Sequence, residues 1–373
     1  MMIRHLVKNV KNMPGWRTNK KLFVIESDDW GSTRMPNTNV YKQLLETGIR
    51  VDKNNFTKLD TLASSEDLKS LLRVLESVRD KNGNPAIFTP FINVSNPDFQ
   101  RIIEENYSNY YYETFDRTLI STYGSEILNI WKEGISNGLF VPEYHGREHY
   151  NFPMLMQLLQ EDLYSIRDAF EKGVVHIPVG EGVIKSIGGL APTYFYTNPN
   201  HLDMLKTSLL DGLKIFKETL GYDATVFVPP NGIFNKTLER LLEGTSIKAI
   251  IVDRKRREPD GKGGLRLKSY AFQFGSKNES QQFYYSRNCK FEPVQKSYNL
   301  DECLANIGAA FRWGKPAVVS THRINFVGNL NPENRRRNLQ EFEILLNTVI
   351  KKWPDVEFIS SARLVQELEN SLS

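Results

Sequence analysis

Cysteines and long apolar runs are scarce in this chain of 373 residues. Its two cysteines, Cys289 and Cys303, are too few for the disulfide framework of a small secreted domain. No stretch approaches the roughly 18 apolar residues of a membrane-spanning helix, and the N-terminal segment lacks the apolar core of a secretory signal. We therefore expect a cytoplasmic protein without a membrane span.

An excess of charge of one sign is also missing. The chain has 48 basic and 44 acidic residues, which gives a formal net charge of +4. A nucleic-acid-binding domain concentrates basic residues on one face, whereas only the short run "VDRKRREPDGKGG" from Val252 is locally basic here. Internal repeats and low-complexity linkers are absent from the sequence. We expect one globular domain over residues 1–373 and no nucleic-acid partner.

Short, apolar, β-branched runs recur along the chain and alternate with segments of helical period. Because these runs are continuously apolar rather than alternating, they are typical of strands that are buried on both faces of a parallel sheet. Strand–helix alternation over the whole length predicts an α/β fold, either open or closed into a barrel. The predicted strands begin at Leu22, Ala86, Leu139, Thr225, Lys248, Ala317 and Val356.

Helix signals and interruptions complete this pattern. One predicted helix follows the N-cap candidate Ser125 and ends near Gly138, and another begins at Asn331 with Pro332 in its first turn. Segments that are rich in aromatic residues, glycine and proline, or that alternate like β-hairpins, interrupt the rhythm. We expect these to be insertions, and they lie near residues 96–124, 165–205 and 262–297.

Two adjacent aspartates, Asp28 and Asp29, follow the first predicted strand in "VIESDDWGS". Mutual repulsion and desolvation make such a pair unfavourable at the end of a buried strand unless a positive group lies nearby. The pair is therefore either a solvated turn or part of a cation site, and this stretch alone does not decide between them.

Two histidines four residues apart, His145 and His149, follow another predicted strand in "EYHGREHYN". On one helical turn such side chains lie about 6 Å apart, close enough to share a metal ion; the alternative is a hydrogen-bonded structural pair. Two imidazoles and one carboxylate form a common ligand set for a catalytic divalent ion. A second carboxylate beside it can accept the proton of an attacking water.

Two further strand ends carry candidate residues. "VPPNG" contains a rigid turn that can form a pocket wall, and "STH" ends a predicted strand on His322, which is either a general acid or a structural histidine. All four stretches follow a strand, as expected when a parallel sheet carries its site at the carboxyl ends of its strands. The three other histidines, in turns, an insertion and the N-terminal segment, are predicted to be structural: His5, His176 and His201.

The order "SDDWG", "HGREH", "VPPNG", "STH" resembles the polysaccharide deacetylase family with its NodB-homology domain. The resemblance covers roughly residues 20–95, 125–155, 206–255 and 305–370, in the order of the family. It implies a distorted (β/α) barrel, often with seven parallel strands, which binds one divalent metal ion, usually zinc.

Residue roles follow from the resemblance by motif position. Asp28 would be the general base and His322 the general acid, while Asp29, His145 and His149 would hold the metal. Residues next to these motifs would contact the substrate, namely Trp30, Pro229, Pro230, Asn231 and Gly232.

The chain departs from the family pattern at Val228, where the family usually has an arginine that orients the catalytic base. The candidates for replacing that arginine are Arg147, Arg254 and Arg256. The family motif that tunes the acidic histidine is also blurred, and Asp253 is the nearest candidate for it.

The implied activity is the metal-dependent removal of an acetyl group, N- or O-linked, from a sugar or polysaccharide precursor. One alternative, motivated by Val228, is a non-catalytic carbohydrate-binding protein on the same fold; another is a hydrolase of a non-sugar C–N bond. Aromatic clusters in the insertions either stack on sugar rings or pack the insertions onto the barrel, and they comprise Tyr110, Tyr111, Tyr112, Tyr194, Phe195 and Tyr196.

Overall fold

The computed structural model describes residues 9, 12–161, 163–178, 188–253, 255–269 and 273–371. Its strands, in chain order, are β1 (Lys21–Trp30), β2 (Phe88–Ile92), β3 (Ser95–Pro97), β4 (Tyr112–Thr114), β5 (Glu143–Tyr144), β6 (Val226–Phe227), β7 (Ala249–Ile251), β8 (Lys255–Pro259), β9 (Leu265–Ser269), β10 (Ser276–Lys277), β11 (Phe283–Tyr285), β12 (Cys289–Lys290), β13 (Ala317–His322) and β14 (Val356–Ile359).

The main sheet is curled and mostly parallel. It contains ten strands. Nine of them follow the order β10-β11-β7-β6-β5-β2-β1-β13-β12, and the tenth, β14, also pairs with β1. Its one antiparallel pair within the described residues joins β10 to β11. The pairs β3–β4 and β8–β9 form two separate two-stranded antiparallel sheets.

Strand β1 shows why this sheet is buried on both faces. Successive side chains of a strand point to opposite faces, and here both sets are apolar. Phe23 and Ile25 join the larger hydrophobic cluster, while Leu22 and Val24 join a second cluster on the other side. All four side chains are fully buried.

Helices lie between the strands. The helix Pro332–Lys352 begins as predicted, because the Asn331 side chain accepts a hydrogen bond from the Glu333 N–H and Pro332 occupies the first turn. The α-helices are α1 (Thr38–Glu46), α2 (Asn55–Leu59), α3 (Ser65–Glu76), α4 (Phe99–Glu104), α5 (Phe115–Tyr123), α6 (Glu126–Ser136), α7 (Phe152–Gln160), α8 (Tyr164–Glu171), α9 (Pro199–Leu220), α10 (Lys236–Glu239), α11 (Leu300–Arg312), α12 (Pro332–Lys352) and α13 (Ser361–Asn370).

The predicted α/β class and distorted-barrel architecture are confirmed, and each of the seven predicted strands is present. The sheet nevertheless contains ten strands rather than seven. The additional strands β10, β11 and β12 come from residues 262–297, which were expected to form an insertion. The sequence of this segment alternates like hairpins, whereas in the structure β11 pairs in parallel with β7 and β12 pairs in parallel with β13.

Two site-related predictions fall outside the described residues, namely those for His5 and Arg254. In the part of the chain that the structure describes, no helix is both long and apolar enough to cross a membrane.

The topology brings the carboxyl ends of several strands to one edge of the sheet. Asp28 lies directly opposite His322 in the parallel register of β1 and β13. His145 follows β5, and the "PPNG" turn follows β6, which pairs with β5. The four predicted motifs therefore meet at the same edge.

Candidate metal centre and active site

A cavity of about 990 Å³ opens at this edge of the sheet. It is large enough for a small-molecule or sugar ligand, since such sites commonly occupy about 300–1,000 Å³. The predicted base, acid and metal ligands all line it: Asp28, Asp29, His145, His149 and His322.

The backbone at Asp29 adopts a conformation that is unusual for a residue with a side chain. Its φ angle is +73°, and Gly31 follows with φ +83°. Left-handed backbone at a non-glycine residue costs of the order of 1–3 kcal/mol and concentrates at functional sites. A side chain on Gly31 would meet the carbonyl oxygen of Asn93 at 2.3 Å, so the turn after β1 requires glycine there.

Asp29, His145 and His149 form a buried triad whose potential ligand atoms lie within 4.8 Å of one another. The Asp29 Oδ1 atom is 2.9 Å from His149 Nε2 and 3.8 Å from His145 Nε2. Two imidazole nitrogens and a carboxylate oxygen are ligands that zinc accepts. The triad can therefore hold a divalent metal ion.

One ring nitrogen of His145 is fixed by a backbone carbonyl, and the other faces Asp29. Its Nδ1 atom lies 2.7 Å from the carbonyl oxygen of Val228 and so must donate to it, which leaves the lone pair on Nε2. The Nε2 atom is buried and has no hydrogen-bond partner among the described residues. A buried nitrogen lone pair that faces Asp29 without a donor is what a metal site requires.

His149 and Asp29 are surrounded by groups that fix their charges. Burial lowers the pKa of His149 to about 4, although Asp29 acts in the opposite direction. Burial raises the pKa of Asp29, but His149 and Arg34 outweigh it and hold that pKa well below its usual value. Asp29 is therefore a carboxylate, as ligation demands.

Asp28 is held by Arg287. The Nη1 and Nη2 atoms of Arg287 each lie 2.6 Å from one oxygen of the Asp28 carboxylate, and the Nε atom lies 2.7 Å from Glu26. Burial raises the pKa of Asp28, yet Arg287, His145 and His322 together bring it below its ordinary value. Asp28 is thus an oriented, ionised carboxylate.

Arg287, which was not among the predicted candidates, makes this contact with Asp28, while the candidate Arg254 lies outside the described residues. Arg147 instead pairs with Glu148 and Asp211, at 2.5 and 2.8 Å. Arg256 pairs with two other carboxylates, Glu239 and Glu258.

Val228 contacts the candidate site through its backbone carbonyl rather than through its side chain. The Val228 carbonyl accepts the hydrogen bond from His145, as described above. The valine side chain is packed into the second hydrophobic cluster.

His322 is paired with a different carboxylate from the one expected. Its Nδ1 atom forms a short hydrogen bond with Glu292, and Asn325 holds the second oxygen of Glu292 at 2.8 Å. Burial lowers the pKa of His322, but Glu292 outweighs this effect and the pKa rises to about 9. Asp253 lines the cavity, and Glu292 rather than Asp253 is the carboxylate that contacts His322.

The predicted substrate-binding residues divide into two groups. Pro229, Asn231 and Gly232 line the cavity, and Pro230 is buried within the same turn. Trp30 has a packing role instead: it is 1% exposed, donates to the Ser27 hydroxyl at 2.8 Å, and packs against core aromatic rings.

The tyrosines of the insertions also make internal contacts. Tyr110 hydrogen-bonds to Glu148 and Tyr150, Tyr112 bonds to Asp211, and Tyr194 is fully buried. An aromatic ring that does line the cavity is Phe56.

Phe56 stands beside the candidate acid. Its ring centroid is 5.4 Å from that of His322, in an edge-on arrangement. Phe56 is partly exposed and lines the cavity beside His322.

The two other described histidines have different surroundings. His201 is buried and bonds to Asn151 at 2.9 Å, as expected of a structural histidine. His176, predicted to be structural, lies on the cavity wall with its ring 5.9 Å from that of His149.

Four charged residues of this site escaped the sequence-based prediction: Glu26, Arg34, Arg287 and Glu292. Glu26 did carry a signal, because it is an acidic residue inside a buried strand and shares the face of Asp28 two residues later. The other three lie in loops whose sequence has no periodic pattern.

No protein-family model matches the sequence, and no curated protein matches it either. Similar solved structures include a protein described as a polysaccharide deacetylase from Mycobacterium smegmatis, with 10% identity over 96% of this chain and 94% of that one and a TM-score of 0.46. A 4-alpha-glucanotransferase from Thermococcus litoralis is also similar, with 10% identity over 93% of this chain and 40% of that one and a TM-score of 0.45. So is a peptidoglycan deacetylase from Bacillus subtilis, with 10% identity over 95% of this chain and 93% of that one and a TM-score of 0.35.

Polysaccharide deacetylases are thus among the solved structures that resemble this chain, as the order of the motifs predicted.

Proposed function

We propose that this protein is a divalent-metal-dependent hydrolase that removes N- or O-linked acetyl groups from a sugar or a polysaccharide precursor. The observation that carries the proposal is the arrangement around Asp28. An ionised carboxylate, clamped by Arg287, lies opposite His322 and adjoins the Asp29–His145–His149 triad. The residues that we propose as base, acid and metal ligands line one cavity, which supports acyl hydrolysis.

The metal would be held by Asp29, His145 and His149, and zinc is the ion we propose from this ligand set. When bound, such an ion polarises an acyl carbonyl and makes a neighbouring water more acidic. The unpartnered Nε2 atom of His145 is the feature of the chain that supports its presence.

Asp28 would take the proton from the attacking water. A general base must be ionised and oriented at the operating pH, and the two hydrogen bonds from Arg287 provide both conditions. The same ion pair would replace the one made by the arginine that the family usually has at the position of Val228. It also weakens the case for a non-catalytic carbohydrate-binding protein, which rested on that missing arginine.

His322 would donate a proton to the departing amine or alcohol. Its pKa of about 9 keeps it protonated at neutral pH, and its Nε2 atom lies 4.0 Å from Asp28 Oδ2. The side chain is 27% exposed, so a substrate in the cavity can reach it. Phe56, beside His322, offers a surface for a sugar ring.

Two substitutions of identical chemistry, one residue apart, test these roles. Asp28→Asn should retain about one equivalent of zinc and lose acetate release from acetylated sugars. Asp29→Asn should lose the zinc as well. If Asp28→Asn loses the metal and Asp29→Asn keeps it, the two roles are reversed, and if the unchanged protein binds none, the metal site is wrong.

A further inference from the structure

Two lysine side chains line the active-site cavity, and their charges differ in surroundings from those of its arginines. Lys53 ends a short 3₁₀-helix, and Lys290 ends β12. The arginines Arg34 and Arg287 are 6% and 12% exposed, and each contacts two carboxylates of the protein. The charges of the arginines are therefore compensated internally, whereas both lysines are exposed.

The carboxylate beside Lys53 is occupied by another cation. The Lys53 Nζ atom lies 3.8 Å from Asp52 Oδ2, which is too far for a hydrogen bond. Arg50 holds both oxygens of the same carboxylate, at 2.8 and 2.7 Å. Two positive groups thus share one negative group, and the charge of Lys53 is left for a ligand.

Lys290 has a neutral partner. Its Nζ atom lies 3.0 Å from the side-chain oxygen of Gln295, and among the described residues it forms no ion pair. Glu292, two residues further along the chain, is bound by His322 and Asn325 instead. An amide oxygen carries no formal charge, so the charge of Lys290 is not neutralised by the protein.

Both lysines lie on the side of the cavity where His322 is found. Lys290 belongs to β12, which pairs in parallel with β13, the strand that ends on His322. Phe56, three residues after Lys53, packs edge-on against the His322 ring. Because His322 would protonate the departing amine or alcohol, the sugar that carries this group would lie on the same side.

The carboxylates that line the cavity are bound elsewhere or lie beside another turn. Asp28 and Asp29 are buried and are held by arginine and histidine side chains. Asp253 follows β7, and its Oδ2 atom is 3.6 Å from the position that a side chain on Gly232 would occupy. None of these three carboxylates forms an ion pair with Lys53 or Lys290.

We propose that Lys53 and Lys290 bind a negatively charged group, a carboxylate or a phosphate, on the sugar from which the acetyl group is removed. The inference rests on the proposed function, because that function places the sugar beside His322. An ammonium group binds carboxylate and phosphate oxygens as a point charge and does not require bidentate geometry. The substrates would then be acetylated acidic sugars in preference to neutral ones.

Binding of sugars that carry no acetyl group tests the site without the reaction. Glucuronic acid, glucose 6-phosphate and glucose present the same ring with a carboxylate, a phosphate or no charge. For two exposed ion pairs we expect the unmutated protein to bind the better of the two anionic sugars about 2- to 30-fold more tightly than glucose. Calorimetry measures the three Kd values, and a preference for one anion identifies the group that is bound.

The preference should also depend on salt. Raising the ionic strength from about 0.01 M to about 1 M shortens the screening length from about 30 Å to about 3 Å, so the Kd values of the anionic sugars should approach that of glucose. If the three sugars bind equally at low salt, or if none of them binds, the inference is wrong.

Substitution of the lysines assigns the preference to these side chains. Lys53→Gln and Lys290→Gln should each reduce it by about 1.4- to 5-fold, and the double variant should abolish it while the Kd of glucose is unchanged. Lys69→Gln, at an exposed lysine of α3 that does not line the cavity, is the matched control for the same loss of charge. A double variant that folds and keeps the preference of this control refutes the roles of the lysines. If the double variant does not fold, the salt-dependent preference of the unmutated protein and the single variants decide the question.

The outcomes separate this inference from the proposed function. A protein that binds anionic sugars through the two lysines and releases acetate from no acetylated sugar would retain this site and refute the proposed function. A protein that releases acetate equally well from acidic and neutral acetylated sugars, with and without the two lysines, would retain the proposed function and refute this site.

Discussion

Arg287 and Asp28 form a two-point ion pair across 259 residues of sequence, with both N–O distances at 2.6 Å. The planar guanidinium matches the carboxylate geometry, and the side chain of Arg287 is only 12% exposed. The third nitrogen of the same group binds Glu26 on the same strand as Asp28. Arg287 therefore fixes both the charge and the direction of the candidate base.

Replacing Arg287 should abolish this orientation. We expect Arg287→Met to lower kcat by about 10²–10⁴, the range that a positioned base contributes, while the zinc content stays at one equivalent. Arg287→Lys should be intermediate, because an ammonium group cannot make the two parallel hydrogen bonds. Acetate release and metal content, measured on variants whose thermal unfolding remains cooperative, check this; full activity in Arg287→Met would contradict it.

The pH dependence of the reaction should depend on Glu292. His322 must be protonated to act as the acid, so activity should fall as the pH rises through its pKa of about 9. Glu292 is the group that raises this pKa, so Glu292→Gln should move the alkaline limb of the kcat profile to lower pH. An acetate ester whose leaving group needs no proton serves as control. With this ester, the fall of kcat at alkaline pH should be absent in both the unmutated protein and Glu292→Gln.

Phe56 should contribute to substrate binding and little to folding. Its ring is partly exposed beside His322, and an aromatic contact contributes about 0.5–1.5 kcal/mol. Phe56→Ala should therefore raise KM about three- to tenfold with little change in the melting temperature. An unchanged KM for every acetylated sugar that is hydrolysed would remove Phe56 from the site.

Trp30 should show the opposite behaviour. Its side chain is buried, and its indole N–H donates a hydrogen bond to the Ser27 hydroxyl. Trp30→Phe should lower the free energy of unfolding by about 2 kcal/mol, through a small cavity and a lost hydrogen bond, and leave KM unchanged. Chemical denaturation and steady-state kinetics measure both quantities; a raised KM with unchanged stability would restore Trp30 as a substrate-binding residue.

Much of the sheet was predictable because its seven principal strands are continuous apolar runs, and burial on both faces produces that pattern. The meeting of the four motifs at one edge was predictable because the strands that precede them are parallel. Motifs after separate strands meet when the strands are parallel neighbours, as Asp28 and His322 do in the register of β1 and β13.

The supporting residues were not predictable by this route. Arg287 and Glu292 are carried by the short strands β11 and β12 and the loops that follow them, and no local pattern indicates that they face Asp28 and His322. Trp30 was expected to contact the substrate because it adjoins the Asp28–Asp29 motif, but the register of β1 shifts between Ser27 and Trp30. That irregularity places the ring in the same hydrophobic cluster as Phe23 and Ile25.

The most direct test of the account is the isotopic content of the acetate that the zinc-loaded protein releases in ¹⁸O-enriched water. A panel of N- and O-acetylated sugars, with Asp28→Asn as the control, would be analysed by mass spectrometry. We predict acetate that contains one ¹⁸O atom per turnover, from at least one sugar, and none above background from Asp28→Asn. Zinc bound at the triad with no acetate from any sugar, or equal release by Asp28→Asn, would contradict the account.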